Sequence, residues 1–501
     1  MSRCCAAVLL WALAACAAPH RDDDAERLVV LHFNDLHGQV RPRAVTLRPG
    51  VTQPMGGIAG VFGYLDRERR ATPARTAVWV TDGGDWFQGT PEGNEDRGWS
   101  YMAVRNRMRL RAAVVGNHEY DFGEDNLVRL IGRAEHPVLG ANIRVAGGGI
   151  APYVVPFTVE SVGGIRVAIV GLITANTKNV STGPFGRAEF VDEIDTLRRL
   201  WPELRRVADE VVLLTHCGLT KDVQLARAFP ELCLILGGHS HTALLEGHRE
   251  GRTWIVQSSG KSTAVSRVVL DVDRRSRRLV VRSAGLRRIP VAEADPDTAR
   301  FLAATFAGIG PVWDVPLGRV EGVPDRRARG APGSTPAGNY VAEVIRRHAG
   351  AEVGLTNKGG LRSILALGPI TRRQVFELLP FDNSVALFEM TGVQLSAVLA
   401  HGLERGRQPL EVAGADYSFR VVDGVRQLVA VRVAGAPVEP NRRYRVATNS
   451  FLARGGDGFH VFAELTHREV SPDTLCAIVL TDLRERAVIR LTDEPRIRLV
   501  E

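Results

Sequence analysis

Lysine is nearly absent from this chain. It occurs only at Lys178, Lys221, Lys261 and Lys358, although the basic residues number 64 in all. Positive charge therefore rests on arginine, and the arginines are interleaved with 56 acids rather than gathered into one run. A net charge of +8 spread in this way speaks against a surface that tracks a nucleic-acid polymer. Cysteine is scarce too. Cys4, Cys5 and Cys16 lie at the start, which leaves Cys217, Cys233 and Cys476, an odd set without framework spacing. Neither a disulfide scaffold nor a thiolate zinc site is indicated. Cys217 and Cys233 sit in apolar, strand-like stretches and are expected as buried thiols. Beyond the first residues no run is long and apolar enough for a membrane-spanning helix. Internal repeats and low-complexity tracts are also missing.

What is present at the N-terminus reads as a targeting segment. Arg3 supplies a positive start, and Ala6 to Ala15 is an apolar run of signal-peptide length. It ends in Leu13-Ala14-Ala15-Cys16, which resembles the lipobox of bacterial lipoproteins. Residues 1–15 are accordingly expected to be a signal peptide, with lipid on Cys16 as the membrane anchor. The expected location is the cell envelope, as a periplasm-facing or surface lipoprotein. No obligate protein partner is inferred.

The rest of the chain is long enough for two domains of ordinary size. Five short apolar runs stand out in its first half: Leu28–Phe33, Ala77–Val80, Ala112–Val115, Glu210–Leu214 and Leu232–Leu236. Each is apolar on consecutive positions, as strands buried on both faces are. The segments between them can hold crossover helices, so an α/β domain is expected over 27–286. Asp295-Pro296-Asp297 is a helix start, with Phe301, Leu302, Thr305 and Phe306 at helical spacing. A linker helix is expected within 287–315, with a hinge near Gly308–Pro316. A second α/β domain follows over 316–501.

The chemistry lies just after the five runs. The first is followed by Asn34-Asp35-Leu36-His37-Gly38, the second by Gly83-Gly84-Asp85, and the third by Gly116-Asn117-His118-Glu119. His216 follows the fourth, and Gly237-Gly238-His239-Ser240-His241 the fifth. Sites in open α/β sheets form at the carboxyl ends of strands. In extended backbone, residues i and i+2 face the same way, so Asp35 with His37 and His239 with His241 are expected to converge. Carboxylate, imidazole and amide oxygen suit Zn²⁺ or Mn²⁺. So many ligands suit two divalent ions sharing a carboxylate, roughly 3.5–4 Å apart, as in phosphoryl-transfer centres.

These motifs, in this order, resemble those of the calcineurin-like metallophosphoesterases. More closely they resemble the bacterial 5′-nucleotidase/UDP-sugar hydrolase family. The resemblance runs from Arg27 to the C-terminus. It implies a four-layer α/β/β/α metallophosphoesterase sandwich joined by the linker helix to an α/β substrate-binding domain. It also implies roles. Asp35, His37 and His241 hold one metal, Asn117, His216 and His239 the other, and Asp85 bridges them. His118 contacts the phosphate and protonates the leaving oxygen, with Asp121 orienting it. Asp82 is set aside in favour of Asp85, because the motif places Gly before Asp. The family usually has glutamine or asparagine at the position of His241.

In the second domain, Asn357-Lys358-Gly359-Gly360-Leu361-Arg362, Leu379-Pro380-Phe381-Asp382-Asn383 and Thr448 to Phe459 resemble the family's substrate motifs. The resemblance implies a nucleotide-type small molecule as substrate. Arg362 fits a phosphate, with Lys358 assisting, Phe451 a base, Asp457 the sugar hydroxyls, and Asn383 a further contact. The stretch Pro409-Leu410-Glu411-Val412 lacks a ring that the family commonly places there, which leaves Tyr417 or Phe419 to stand in. The strand Ser384–Glu389 lacks an arginine found in some members. Alternatives left open are a 2′,3′-cyclic nucleotide phosphodiesterase, a thiosulfohydrolase-like enzyme and a non-catalytic nucleotide-binding surface lipoprotein.

Overall fold

The strand Arg27–Phe33 shows how the first domain is layered. Its side chains alternate between two apolar cores. Val29, Leu31 and Phe33 join one core with Ile58, Val61 and Leu65 of the helix Ile58–Ala71 and Tyr101 and Val104 of the helix Trp99–Arg107. Leu28 and Val30 point the other way and meet Val167, Ile169, Val212 and Leu214 of a second sheet. The far side of that second sheet packs Val211 and Leu213 on Leu197, Leu204 and Leu225 of the helices Glu193–Val207 and Leu219–Ala228. Helices, sheet, sheet and helices therefore stack as four layers, which places three separate cores between them.

A computed structural model describes residues 22–48, 51–145, 147–326, 328 and 330–500. The expected signal segment and Cys16 lie outside the described residues. In the first sheet, Arg27–Phe33, Thr76–Asp82, Ala112–Val114 and Val138–Leu139 run parallel, and Ala264–Asp273 and Arg278–Arg288 continue it antiparallel on the other side of Arg27–Phe33. In the second, Ile165–Ile173, Glu210–His216, Leu234–Leu236 and Thr253–Val256 run parallel, between antiparallel edges Phe157–Val162 and His248–Glu250. The strand Ile165–Ile173 carries no ligand-type motif and was not singled out from the sequence. Its neighbours place the ends of Glu210–His216 and Leu234–Leu236 opposite those of the first sheet.

The linker is broken where one helix was expected. A 3₁₀ turn covers Val291–Glu293, and Asp295 then caps the helix Pro296–Thr305 by accepting from the Thr298 N–H at 2.7 Å. Pro311 does not end this helix. It sits in the first turn of a separate short helix, Gly310–Trp313, where a missing N–H is tolerated. The second domain centres on a five-stranded sheet in which Val353–Thr356 and Arg443–Asn449 are parallel neighbours. The helices Pro336–His348 and Leu475–Arg486 share one core with this sheet, and Gly392–His401 shares another.

A closed ring of ion pairs ties the two domains at the linker. Glu92 accepts from Arg373 at 2.6 Å and faces Arg41 at 3.3 Å, and Asp314 accepts from Arg373 at 2.7 Å and pairs with Arg41 at 2.8 Å. Arg41 and Glu92 belong to the first domain, Asp314 to the linker and Arg373 to the second domain. Cys217, Cys233 and Cys476 are buried free thiols. Among the described residues no helix is long and apolar enough to cross a membrane.

Candidate metal centre and substrate cleft

The loops after the parallel strands meet at one end of the sandwich. Asp35, His37, Asp85 and His241 are all buried, and one donor atom from each lies within 4.8 Å of the others. His241 Nε2 is 3.2 Å from Asp35 Oδ1, and His37 Nε2 is 3.6 Å from Asp85 Oδ2. That same Asp85 oxygen lies 3.2 Å from His216 Nε2. His216 Nε2 is in turn 3.2 Å from Asn117 Oδ1, and His239 Nδ1 is 2.9 Å from it. Two donor sets thus sit side by side with one carboxylate oxygen common to both.

The backbone explains how these side chains converge, and it differs from the extended geometry expected. Asp35, His37, Asp85, His239 and His241 all have positive φ, between 49° and 75°. Left-handed residues with a Cβ are unfavourable and cluster where function demands a special direction. The loops also need glycine. A Cβ on Gly116 would lie 2.3 Å from Asp85 Oδ1, so only glycine lets the Asn117-His118 loop approach the shared carboxylate.

Backbone carbonyls fix two of the candidate ligands. His37 donates its Nδ1–H to the Gln88 carbonyl at 2.9 Å, and His216 donates to the Gly83 carbonyl at 2.6 Å. Both rings therefore turn Nε2 inward, as metal-binding imidazoles do. Burial keeps the His37 ring neutral, helped by the Arg362 guanidinium. Burial also works against charge on His216, but the Asp85 carboxylate more than offsets it, raising His216 to about 10. Burial alone would push the Asp85 carboxyl up, yet the imidazoles of His216 and His118 hold it well below the usual carboxylate range. Asp35 Oδ1 is buried without a hydrogen-bond partner. A buried carboxylate oxygen with no donor beside converging imidazole lone pairs fits a divalent cation, and this donor set fits two.

The glutamate of the Gly116-Asn117-His118-Glu119 motif has a role that sequence reasoning missed. Glu119 accepts from the N–H groups of Gly116 at 2.7 Å, Asp85 at 2.9 Å and Trp86 at 2.7 Å. It thereby fastens two ligand loops together. Burial, and then the Asp85 charge, pushes its carboxyl up to about 8. Asp82 is not at the centre. It is fully buried against Arg105, which donates to it at 2.9 and 3.1 Å and covers the Trp86 ring at 3.8 Å.

His118 stands beside the two donor sets. Its Nδ1–H donates to Asp121 Oδ2 at 2.7 Å, and Asp121 Oδ1 accepts from the Ser181 hydroxyl at 2.6 Å and the Thr182 N–H at 3.0 Å. The Phe381 ring of the second domain stacks on the His118 ring, 5.4 Å between centroids. Phe381 lies inside a stretch singled out from the sequence, but nothing in sequence spacing marks it as a contact to a residue of the other domain.

A cleft of about 470 Å³ opens between the domains above this centre. Asp85, Asn117, His118, His239 and His241 line its floor, and Asn383, Phe451 and Asp457 line the wall from the second domain. Arg362 reaches down to the floor, with Nη2 at 2.9 Å from His37 Nε2 and its guanidinium 5.8 Å from the Phe381 ring centroid. Phe451 lies flat on Gly456, where a Cβ would meet its ring carbons at 2.6 Å. Asn383 is buried with Oδ1 unpartnered, and Asp457 accepts from the Asn357 amide at 2.7 Å. Asn176, Asn179 and Thr182 of the first domain add polar groups to the cleft that the sequence did not reveal.

Two expectations for this wall are corrected. The Lys358 ammonium is buried in an ion pair with Glu411 and donates to the Gly333 carbonyl at 2.7 Å, so it is not offered to a phosphate. Glu411 occupies the stretch that lacks a ring. Tyr417 and Phe419 do not replace that ring, because both are buried in the core of the second domain, with the Tyr417 hydroxyl bonded to the Leu410 carbonyl.

The chain matches the calcineurin-like phosphoesterase family model over residues 28–243 and the 5′-nucleotidase C-terminal domain model over 316–464. It belongs to the 5′-nucleotidase family. The chain is 26% identical to the human 5′-nucleotidase over 551 residues, which span 98% of this chain and 94% of that one. It is also 26% identical to a trifunctional nucleotide phosphoesterase of Bacillus subtilis, of which it spans only 30%. The crystal structure of a 5′-nucleotidase precursor from Thermus thermophilus superposes with a TM-score of 0.86 at 26% identity, covering 95% of this chain and 99% of that one. As a 5′-nucleotidase family member, the chain is a phosphoric ester hydrolase of two-domain α/β architecture.

Proposed function

We propose that this chain hydrolyses nucleoside 5′-phosphates and related nucleotide esters at a centre of two divalent ions, Zn²⁺ or Mn²⁺. The observation that carries the reading is Asp85 Oδ2, placed 3.6 Å from His37 and 3.2 Å from His216 at the junction of two donor sets. Asp35, His37 and His241 would hold one ion, Asn117, His216 and His239 the other, with Asp85 between them. Such ions supply Lewis-acid charge for the displacement at phosphorus.

The chain's own residues do the rest. Arg362 already points to the floor beside His37, where its guanidinium can grip phosphate oxygens. Phe451 offers a flat apolar face to the base, and Asn383 and Asp457 offer polar atoms to the ribose. Asp121 takes the Nδ1–H of His118, which leaves Nε2 to carry the proton for the leaving oxygen. The Phe381 ring and the second domain cover His118 and limit its exposure to water.

The location proposed is the cell envelope, through lipid on Cys16. Support comes from the apolar run before Leu13-Ala14-Ala15-Cys16. Metabolic labelling with a fatty acid tests this, and a Cys16→Ser chain should lose the label. The activity is tested by incubating the protein with AMP, UDP-glucose, 2′,3′-cyclic AMP and a thiosulfate conjugate, with Zn²⁺ or Mn²⁺ and with chelator. Release of phosphate from AMP that chelator abolishes is expected. Turnover of the cyclic nucleotide or the conjugate alone would replace the reading.

A further inference from the structure

Four consecutive residues, Ser259, Gly260, Lys261 and Ser262, have left-handed backbone, with φ of 72°, 104°, 52° and 54°. Three of them carry a Cβ. Such a run is unfavourable for L-residues and persists only where its surroundings fix it. Here they do. The Lys261 N–H donates to the Asp35 carbonyl at 2.7 Å, and the Ser262 hydroxyl donates to the Gln39 carbonyl at 2.7 Å. A Cβ on Gly260 would lie 2.9 Å from the Asp35 carbonyl oxygen and 3.4 Å from His241 Nδ1, so the turn rests directly on two ligands.

The tip of this turn crosses to the other domain. The Lys261 ammonium donates to the carbonyl oxygen of Arg362 at 2.6 Å. The N–H of Arg362 donates to the Leu378 carbonyl at 2.9 Å within the second domain. The Arg362 peptide is thus gripped on both sides, once by its own domain and once by the metal-bearing one. Its guanidinium ends 2.9 Å from His37. Lys261 is one of only four lysines in an arginine-rich chain, and its compact ammonium suits a single carbonyl better than a planar guanidinium does.

We propose that Lys261 is a positioning residue, held by a strained left-handed turn on the Asp35 loop, that sets Arg362 over the metal centre when the domains are closed. The inference rests on the proposed nucleotide hydrolysis, with Arg362 as the phosphate contact. The turn stores an unfavourable backbone so that the reach from Asp35 to Arg362 is fixed in one span and not left to a flexible loop.

The test is a double-mutant cycle on the full chain with Lys261→Met and Arg362→Ala, reading kcat, KM and bound metal with AMP as substrate. Lys261→Met is expected to lower kcat/KM roughly tenfold, mainly through KM, with metal content unchanged, and in the Arg362→Ala background to add about nothing. Lys261→Arg, which keeps the cation, is expected to recover part of the loss. Losses that multiply in the double variant, loss of metal in Lys261→Met, or parental kcat/KM in Lys261→Met would each overturn the proposal alone. A parent protein that turns over no nucleotide ester overturns the functional reading and this one with it.

Discussion

Replacing Glu92 with glutamine cuts the ion-pair ring that joins the domains while keeping the side chain's shape. Glu92 and Arg373 are both nearly buried, at 4% and 8% side-chain exposure, whereas Asp314 and Arg41 are 38% and 46% exposed. Removing one partner of a buried pair costs about 3–5 kcal/mol. Asp314 still holds Arg373, the amide oxygen can still accept, and the exposed half of the ring is screened, which brings the expected loss to about 2–3 kcal/mol. Because Glu92 and Arg373 belong to different domains, that loss falls on docking and not on the folding of either domain. The docking equilibrium should therefore shift by roughly 30- to 150-fold toward separated domains. Distances between spin labels placed one on each domain would broaden and lengthen, and Arg373→Met should add little to Glu92→Gln. An unchanged distance distribution, or full additivity of the two substitutions, would refute the reasoning.

The remaining predictions concern the centre and the cleft. Metal supplied at a hundred times its Kd should stabilise the protein by about 2.7 kcal/mol per ion, a rise of roughly 5–11 °C in Tm for a domain of this size, read by calorimetry with and without chelator. Asp85→Asn should abolish most of that rise, because one oxygen serves both donor sets, and metal analysis should show both ions depleted. His118→Gln should lower kcat by about 10²–10⁴ while leaving metal content unchanged. Phe451→Ala should raise KM for AMP by roughly 5- to 150-fold, from about 1–3 kcal/mol of stacking, and leave hydrolysis of p-nitrophenyl phosphate unaltered.

The sequence showed the parts of the site that recur at strand ends. Asp35, His37, Asp85, Asn117, His216, His239 and His241 each follow a short apolar run, and that local pattern survives in any register. What it hid depends on distant partners. Lys358 looks like a phosphate group because lysines next to glycines often are, but Glu411, far along the chain, pairs with it in the core. Tyr417 and Phe419 lie on a strand whose inner face is set by the sheet beside it, so their burial is invisible locally. Phe381, Lys261 and the Arg373 ring act across the domain interface, and no spacing rule reports which surfaces two domains bring together. Glu119 was in view as part of a motif, yet its three N–H partners come from two separate loops.

The seven proposed ligands are drawn from both sheets: Asp35, His37, Asp85 and Asn117 follow strands of one, His216 ends a strand of the other, and His239 and His241 follow the strand beside it. Between those sheets the packing is largely apolar, and at the site end His32 and His216 bond across it to the Gly237 and Gly83 carbonyls. Filling the centre would therefore rivet the two halves of the sandwich at their shared rim. Scarcity of the ion would then shorten the lifetime of the protein against proteolysis as well as lower its turnover.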